Sequence, residues 1–265
     1  MALFSFLKPH RSFAVHGPQG GISTQLVLPE RFDPSKDQCP LVILMHGFMG
    51  RKNMYPISAL ARTLAREGIA SLSFDFDAHG RSEGKFIDMT LSSEVADARA
   101  VWDYARQLPY VSGIGFAGHS QGGVIAGLLA GELESENAKP ACVVLLAPAA
   151  VLKDDALKGQ CMNARYDAAN PPEYVSVFFH KLGRKFILEA QKYPIYEVSA
   201  KYTGKVCLIH GAKDKIVPLS YSEKYNEVYA DSRLHVLQEE GHFLGKDKKT
   251  VLSLAVSFLK ENLPG

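Results

Sequence analysis

A chain of 265 residues with 46% apolar and 22% charged side chains can bury one large core, which excludes a disordered or low-complexity protein. Its net charge of +2 is small and evenly spread, which excludes the basic footprint of a nucleic-acid or anionic-membrane binder. No stretch approaches the roughly 18 apolar residues of a membrane span. The cysteines, Cys39, Cys142, Cys161 and Cys207, show no C-x-x-C spacing, and Cys142 and Cys207 sit inside apolar runs. Free thiols in a reducing compartment are therefore expected. The segment from Met1 to Lys8 has an apolar patch with no basic region before it and no small-residue cleavage site after it. It makes a poor signal peptide, so the cytoplasm is the expected address.

In chain order, Phe13-Ala14-Val15 and Ile22 to Leu28 read as antiparallel strands around the turn Gly17-Pro18-Gln19-Gly20-Gly21. Leu41-Val42-Ile43-Leu44-Met45 is continuously apolar, as expected of a strand buried on both faces. It runs into His46-Gly47-Phe48-Met49-Gly50. A helix follows from about Tyr55 to Arg66, with Ile57, Leu60, Ala61 and Leu64 on one stripe and Gly68 as its stop. Ile69 to Asp75 is the next strand, and Ser92 to Leu108 the next helix. Gly113 to Ala117 reads as a buried strand, Val124 to Ala130 as a buried helix, and Ala141 to Leu146 as another strand.

The alternation breaks after Ala147-Pro148-Ala149. Residues 151–202 carry Pro171-Pro172, Phe178-Phe179 and several tyrosines, and are expected to form a small cap inserted into a single domain spanning 1–265. Within it, Leu182, Phe186, Ala190 and Tyr193 have helical spacing. The rhythm resumes with Val206 to Ile209, a helix from Ser220 to Tyr229, an alternating strand from Arg233 to Leu237, and a last helix from about Lys248 to Asn262. Repeated strand–helix units imply a mostly parallel sheet, eight-stranded in this reading, with helices on both faces.

Between the buried strand and the buried helix lies Gly118-His119-Ser120-Gln121-Gly122. It matches G-x-S-x-G, the strand-to-helix turn that holds a catalytic serine in α/β-hydrolases. A serine hydroxyl needs a base in hydrogen-bond reach, and the base needs an orienting acid. In that fold the acid and then the histidine follow the serine along the chain. Asp214, in His210-Gly211-Ala212-Lys213-Asp214, stands just after a buried strand, where ligands bind in open α/β sheets. Asp231 and Asp247 also satisfy the order but lack that placement. For the base, His235 alternates inside a strand, whereas His242 lies in the loop beyond it and is preferred. His46, His79 and His210 border glycines at strand ends and are expected to shape loops.

Acyl transfer also needs donors for the developing oxyanion, each worth about 3 kcal/mol. The backbone N–H of Gln121 and that of Phe48, in the loop after the third strand, are the candidates. No His, Cys or carboxylate set has metal-ligand spacing, so neither a metal nor another cofactor is expected.

With these residues in place the whole chain resembles the α/β-hydrolase superfamily and, more narrowly, the bacterial cinnamoyl (feruloyl) esterases. The stretches that carry the likeness are His46-Gly47-Phe48, Phe74-Asp75-Phe76 with His79-Gly80, Gly118 to Val124, Leu145-Leu146-Ala147-Pro148-Ala149, Pro194 to Ser199, and Cys207 to Gly211. The resemblance implies hydrolysis of hydroxycinnamate esters, such as ferulate on plant cell walls, p-coumarate or chlorogenate, with no cofactor. It also implies that the cap holds the aromatic ring, and Asp155 matches the family's cap aspartate. Phe186 stands where relatives often have a tyrosine, so one phenol-facing group is absent. Tyr166, Tyr174, Phe178, Phe179 and Tyr193 add to the cap's aromatic content, either as pocket walls or as the cap's own core.

Two rival readings stay open. One is a serine hydrolase of other short acyl esters or of monoacylglycerols. The other is a fold relative that binds a small molecule without turning it over. The partner expected in each case is a small molecule, not nucleic acid or a membrane, and a homodimer is left open.

Overall fold

The first elements are a hairpin, β1 (His10–Gly17) and β2 (Gly20–Val27), turning at Pro18 and Gln19. The structure, a computed structural model, describes residues 10–264. The segment from Met1 to Lys8, read above as a poor signal peptide, lies outside the described residues. Strand and helix then alternate through β3 (Cys39–Met45), α1 (Ile57–Arg66), β4 (Ala70–Phe74) and α2 (Leu91–Ala105). The alternation continues through β5 (Val111–His119), α3 (Gln121–Ser135) and β6 (Cys142–Leu146).

Between β6 and the next sheet strand lie α4 (Val151–Leu157) and two short hairpins. The hairpins pair β7 (Gln160–Cys161) with β8 (Ala164–Arg165), and β9 (Tyr174–Val177) with β10 (His180–Gly183). Two helices, α5 (Arg184–Lys192) and α6 (Ile195–Ser199), complete this stretch. The chain ends with β11 (Lys205–Gly211), α7 (Ser220–Val228), β12 (Ser232–Leu237) and α8 (Lys248–Asn262).

Eight strands form one sheet in the order β1-β2-β4-β3-β5-β6-β11-β12, and β2 alone runs against the others. The apolar run of β3 is explained by this position. Leu41, Ile43 and Met45 enter one core with α2 and α3, while Val42 and Leu44 enter a second core with α1 and α8. A strand with helices on both faces has no side left for polar residues. Among the described residues no helix is long and apolar enough to cross a membrane.

Residues 147–204 add nothing to the main sheet. The expected helical register from Leu182 to Tyr193 is not one helix. Leu182 lies in β10, and α5 begins only after Gly183, whose backbone is extended (φ −75°, ψ 153°). Leu182, Phe186 and Ala190 are nevertheless all buried. An inward strand residue followed by a helix can mimic the four-residue spacing of a longer helix, so spacing alone does not separate the two.

The parallel strands bring their carboxyl ends to one edge, where open α/β sheets bind ligands. Close backbone approach sets this edge. A Cβ on Gly122 would lie 2.3 Å from the His46 carbonyl oxygen and 2.4 Å from that of Met45. Backbone atoms cannot step aside as a side chain can, so Gly122→Ala should lower stability by about 1–3 kcal/mol in urea unfolding. A Cβ on Gly21 meets only ordinary contacts, the nearest at 3.6 Å. Gly21→Ala should stay within about 0.5 kcal/mol of the parent. Equal losses in the two variants would contradict this account of the turn.

Candidate active site

Ser120 sits between β5 and α3 with φ 56° and ψ −124°, a backbone that side chains other than glycine rarely adopt. It is held there by its N–H, which donates to the Leu146 carbonyl at 2.9 Å, and by its own carbonyl, which accepts from Gly123 and Ala149. The turn projects Oγ toward the His242 ring. Ser120 Oγ and His242 Nε2 are 2.9 Å apart, and His242 Nδ1 is 2.8 Å from Asp214 Oδ2. These three residues come from the ends of β5, β12 and β11. His235 stays within β12 and does not join them.

The protonation pattern follows from the partners. Asp214 Oδ1 accepts from the N–H groups of Ile216 and Val217 at 2.8 and 2.9 Å. Its Oδ2 faces both His242 and His210, the latter at 3.3 Å. Burial alone would push this carboxyl up, but the hydrogen bonds from His210 and His242 outweigh that and hold it far below the usual carboxylate range. An ionised carboxylate only accepts, so His242 Nδ1 carries the proton and Nε2 is free to accept from Ser120. His210 Nε2 faces two acceptors, Asp214 and the Val217 carbonyl, and must also donate. Its Nδ1 then accepts from Ser222 Oγ at 2.7 Å. His210 is thus a buried strand residue that braces Asp214, a role beyond the loop shaping that its neighbouring glycine suggests.

Phe48 and Gln121 flank the serine. A Cβ on Gly47 would lie 2.8 Å from Ser120 Cβ, so only the bare backbone lets the Phe48 loop come this close. Two histidines pin that loop. His46 Nε2 accepts from Phe76 N–H and His79 Nε2 accepts from Met49 N–H, which leaves each Nδ1 to donate to a carbonyl. Burial pushes both imidazoles down, His46 to about 3, so both stay neutral and keep these acceptors. Among the described residues neither the Phe48 N–H nor the Gln121 N–H has a hydrogen-bond acceptor. Two unpaired donors beside a serine can receive an oxyanion.

Asp155 and Phe186 both line a cavity of about 530 Å³ that opens onto Ser120 and Gln121. Asp155 Oδ1 accepts from Gln160 Nε2 at 2.6 Å. Phe186 is buried, with its ring centroid 6.2 Å from that of Phe48. Tyr166 and Phe178 also reach this cavity, whereas Tyr174, Phe179 and Tyr193 do not. Tyr221 lines it too and donates to Asp154 Oδ2 at 2.6 Å. Nothing in the sequence singles out Tyr221, because it lies on α7, far along the chain from the other walls. Among the described residues no three His, Cys, Asp or Glu side chains could together hold a metal ion.

The buried carboxyls behind this edge were likewise not visible in the sequence. Gln121 Nε2 donates to Glu94 Oε2 at 2.6 Å, and Asp97 Oδ2 accepts from Asp77 N–H at 2.7 Å. A pair of charged residues in an amphipathic helix reads as a solvated face. Tertiary packing instead buries Glu94 against the serine helix and Asp97 against the loop after β4.

A serine at a strained strand-to-helix turn, hydrogen-bonded to a histidine on this sheet, defines a serine hydrolase of the α/β-hydrolase fold. The chain belongs to the family described as serine aminopeptidase, S33, whose model matches residues 36–169, just over half its length. It is similar to the structure of Est1E from Butyrivibrio proteoclasticus with ferulic acid bound, at 29% identity and a TM-score of 0.88. That match covers 94% of this chain and 98% of the other. It is also 23% identical over 226 residues to the mouse mitochondrial palmitoyl-protein thioesterase ABHD10, covering 82% of this chain and 73% of that protein. The human protein ABHD12B is 23% identical over 193 residues, 73% of this chain and 51% of the relative. The chain therefore spans about half the length of ABHD12B.

The carboxyl cluster generates a pH dependence of stability. Burial pushes Glu94 up to about 8, Asp97 to about 7 and Asp77 to about 6. A carboxyl raised in the folded state binds its proton longer than in the unfolded chain. Its contribution is fully present below the unfolded pKa and is lost as pH rises through the folded one. Urea unfolding should thus show stability falling from about pH 4.5 to about pH 8. Glu94→Gln, which keeps an acceptor for Gln121, should lose less over that window. Parallel pH profiles would mean that Glu94 does not titrate there.

Proposed function

We propose that the protein is a serine carboxylesterase that hydrolyses hydroxycinnamate esters through an acyl-enzyme. The observation that carries this reading is the hydrogen-bonded series Ser120, His242 and Asp214, whose serine lines a cavity large enough for an aromatic acid. Ser120 Oγ attacks the ester carbonyl as its proton passes to His242 Nε2. The Phe48 and Gln121 N–H groups receive the oxyanion. His242 then returns the proton to the departing alcohol, and water repeats the sequence on the acyl-enzyme. Asp214 stays ionised and steadies the imidazolium.

The acyl group belongs in the 530 Å³ cavity, under residues 151–202 acting as a cap. Phe48, Phe186, Tyr166 and Leu182 offer apolar area to a flat ring. Phe186 brings no hydroxyl, so the carboxylate of Asp155 is the group that reads the phenol. Support comes from the likeness to a structure with ferulic acid bound. The 23% identity to a palmitoyl-protein thioesterase favours a second reading, a fatty-acyl substrate, which the same assays separate.

Ser120→Ala should remain folded and lose esterase turnover by a factor of roughly 10⁴ or more on p-nitrophenyl acetate and methyl ferulate. Near-parental turnover by the folded variant would remove Ser120 from the mechanism. Asp155→Ala should lower kcat/KM on methyl ferulate about tenfold or more, because a hydrogen bond to a charged group is lost. Its rate on unsubstituted methyl cinnamate should barely change. Equal losses on both esters would assign Asp155 a structural role. Faster hydrolysis of palmitoyl than of feruloyl esters would favour the fatty-acyl reading.

A further inference from the structure

Two cavities meet at Ser120 and share Phe48, Met162, Phe178 and Ile216 with it. The larger includes Gln121 but not His242, and the second, of about 350 Å³, includes His242 but not Gln121. Acyl transfer assigns opposite tasks to those two sides. The oxyanion turns toward the N–H groups of Gln121 and Phe48, whereas the ester oxygen that departs must face the imidazole that protonates it. The cavity on the His242 side therefore takes the leaving group. In this step the bond between Ser120 Oγ and the carbonyl carbon forms, the ester C–O bond breaks, and the His242 proton passes to the alcohol oxygen.

The walls of this second cavity are unusual for the molecule. Among the described residues eight large apolar side chains are exposed, and five of them line it: Met54 and Phe243 belong to this cavity alone, and Met162, Phe178 and Ile216 stand on the rim it shares with the larger one. Phe243 is 63% exposed immediately beside the imidazole. A protein surface rarely gathers its apolar residues around one cleft unless something apolar covers them. The polar side chains there are mostly engaged. Tyr55 donates to the Leu244 carbonyl, both nitrogens of His46 are bonded, and His119 Nε2 donates to the His242 carbonyl. Among the described residues Arg51 is the one side chain of this wall with unengaged donors, from an exposed position.

We propose that this cavity binds an apolar leaving group, an alkyl or aryl alcohol, so that the preferred esters are those of lipophilic alcohols and not those of sugars. A sugar carries a hydroxyl on almost every carbon, and a wall of methionine, phenylalanine and isoleucine would strip water from those hydroxyls without replacing their hydrogen bonds. An alkyl chain loses nothing by the same transfer. The inference rests on the reading of Ser120 and His242 as the groups that cleave an ester.

The test holds the acid constant and varies the alcohol, once with acetate and once with ferulate. Methyl, butyl and hexyl esters are compared with a feruloylated and an acetylated arabinose. The expected result is a rise in kcat/KM of about threefold per methylene as the cavity fills, with the arabinose esters slowest in both series. Met54→Asp changes an exposed wall outside the catalytic groups. It should cut the hexyl rate at least fivefold and leave the methyl rate unchanged. A flat or falling alkyl profile, faster arabinose esters, or equal effects of Met54→Asp on methyl and hexyl esters would overturn the proposal while leaving ester hydrolysis intact. Absence of turnover on every ester would overturn both readings together.

Discussion

An ionised carboxylate with no exposed side-chain surface is sustained at Asp214 because four donors converge on it, two backbone N–H groups and two imidazoles. That arrangement sets the tautomer of His242, and the tautomer decides whether Ser120 meets an acceptor or a second donor. Removing charge from Asp214 would leave His242 free to place its proton on the wrong nitrogen, while the distances stayed the same. His210 and Ser222 extend the same logic outward, since His210 can brace Asp214 only while Ser222 donates to its other nitrogen. The site is thus a directional series of hydrogen bonds reaching from an α7 hydroxyl to the serine.

The opposite wall is set by backbone contact and not by charge. Gly47, Gly118 and Gly122 let the β3 loop, β5 and α3 approach to distances that any Cβ would forbid. His46 and His79 hold the Phe48 loop as neutral acceptors, kept neutral by burial. Beneath them Glu94 reaches the Gln121 side chain. A buried carboxyl in that position costs stability as it ionises, and such cost is common where a site needs polar groups in fixed places. The tight packing on this side leaves two cavities opening from Ser120.

Much of the architecture is legible in the chain because its signals are local. Continuous apolar runs mark strands covered on both faces, as in Leu41 to Met45. Glycine pairs mark sharp turns, and the order of strand ends places Ser120, Asp214 and His242 on the same edge, since parallel strands all deliver their following loops to one side. Asp214 stands out from Asp231 and Asp247 because it alone directly follows a buried strand. The fold class, an α/β sheet with inserted residues after β6, rests on the same periodicity.

Other features depend on residues that meet only after folding. Leu182 to Tyr193 has the spacing of one helix, and only packing against the rest of the chain divides it into a strand end and a helix at Gly183. The local sequence of Glu94 and Asp97 does not show what they pack against, and burial against α3 and the loop after β4 is what turns them into raised carboxyls. His210 looks like a loop residue beside its glycine until β11 places it against Asp214. Tyr221 and Met54 lie more than a hundred residues apart along the chain, yet each walls a cavity at Ser120. Periodicity and motifs determine which segments become strands, helices and turns, because those choices depend on neighbours in the chain. Which side chains face one another across a cavity depends on contacts between distant segments, and those exist only in the folded structure.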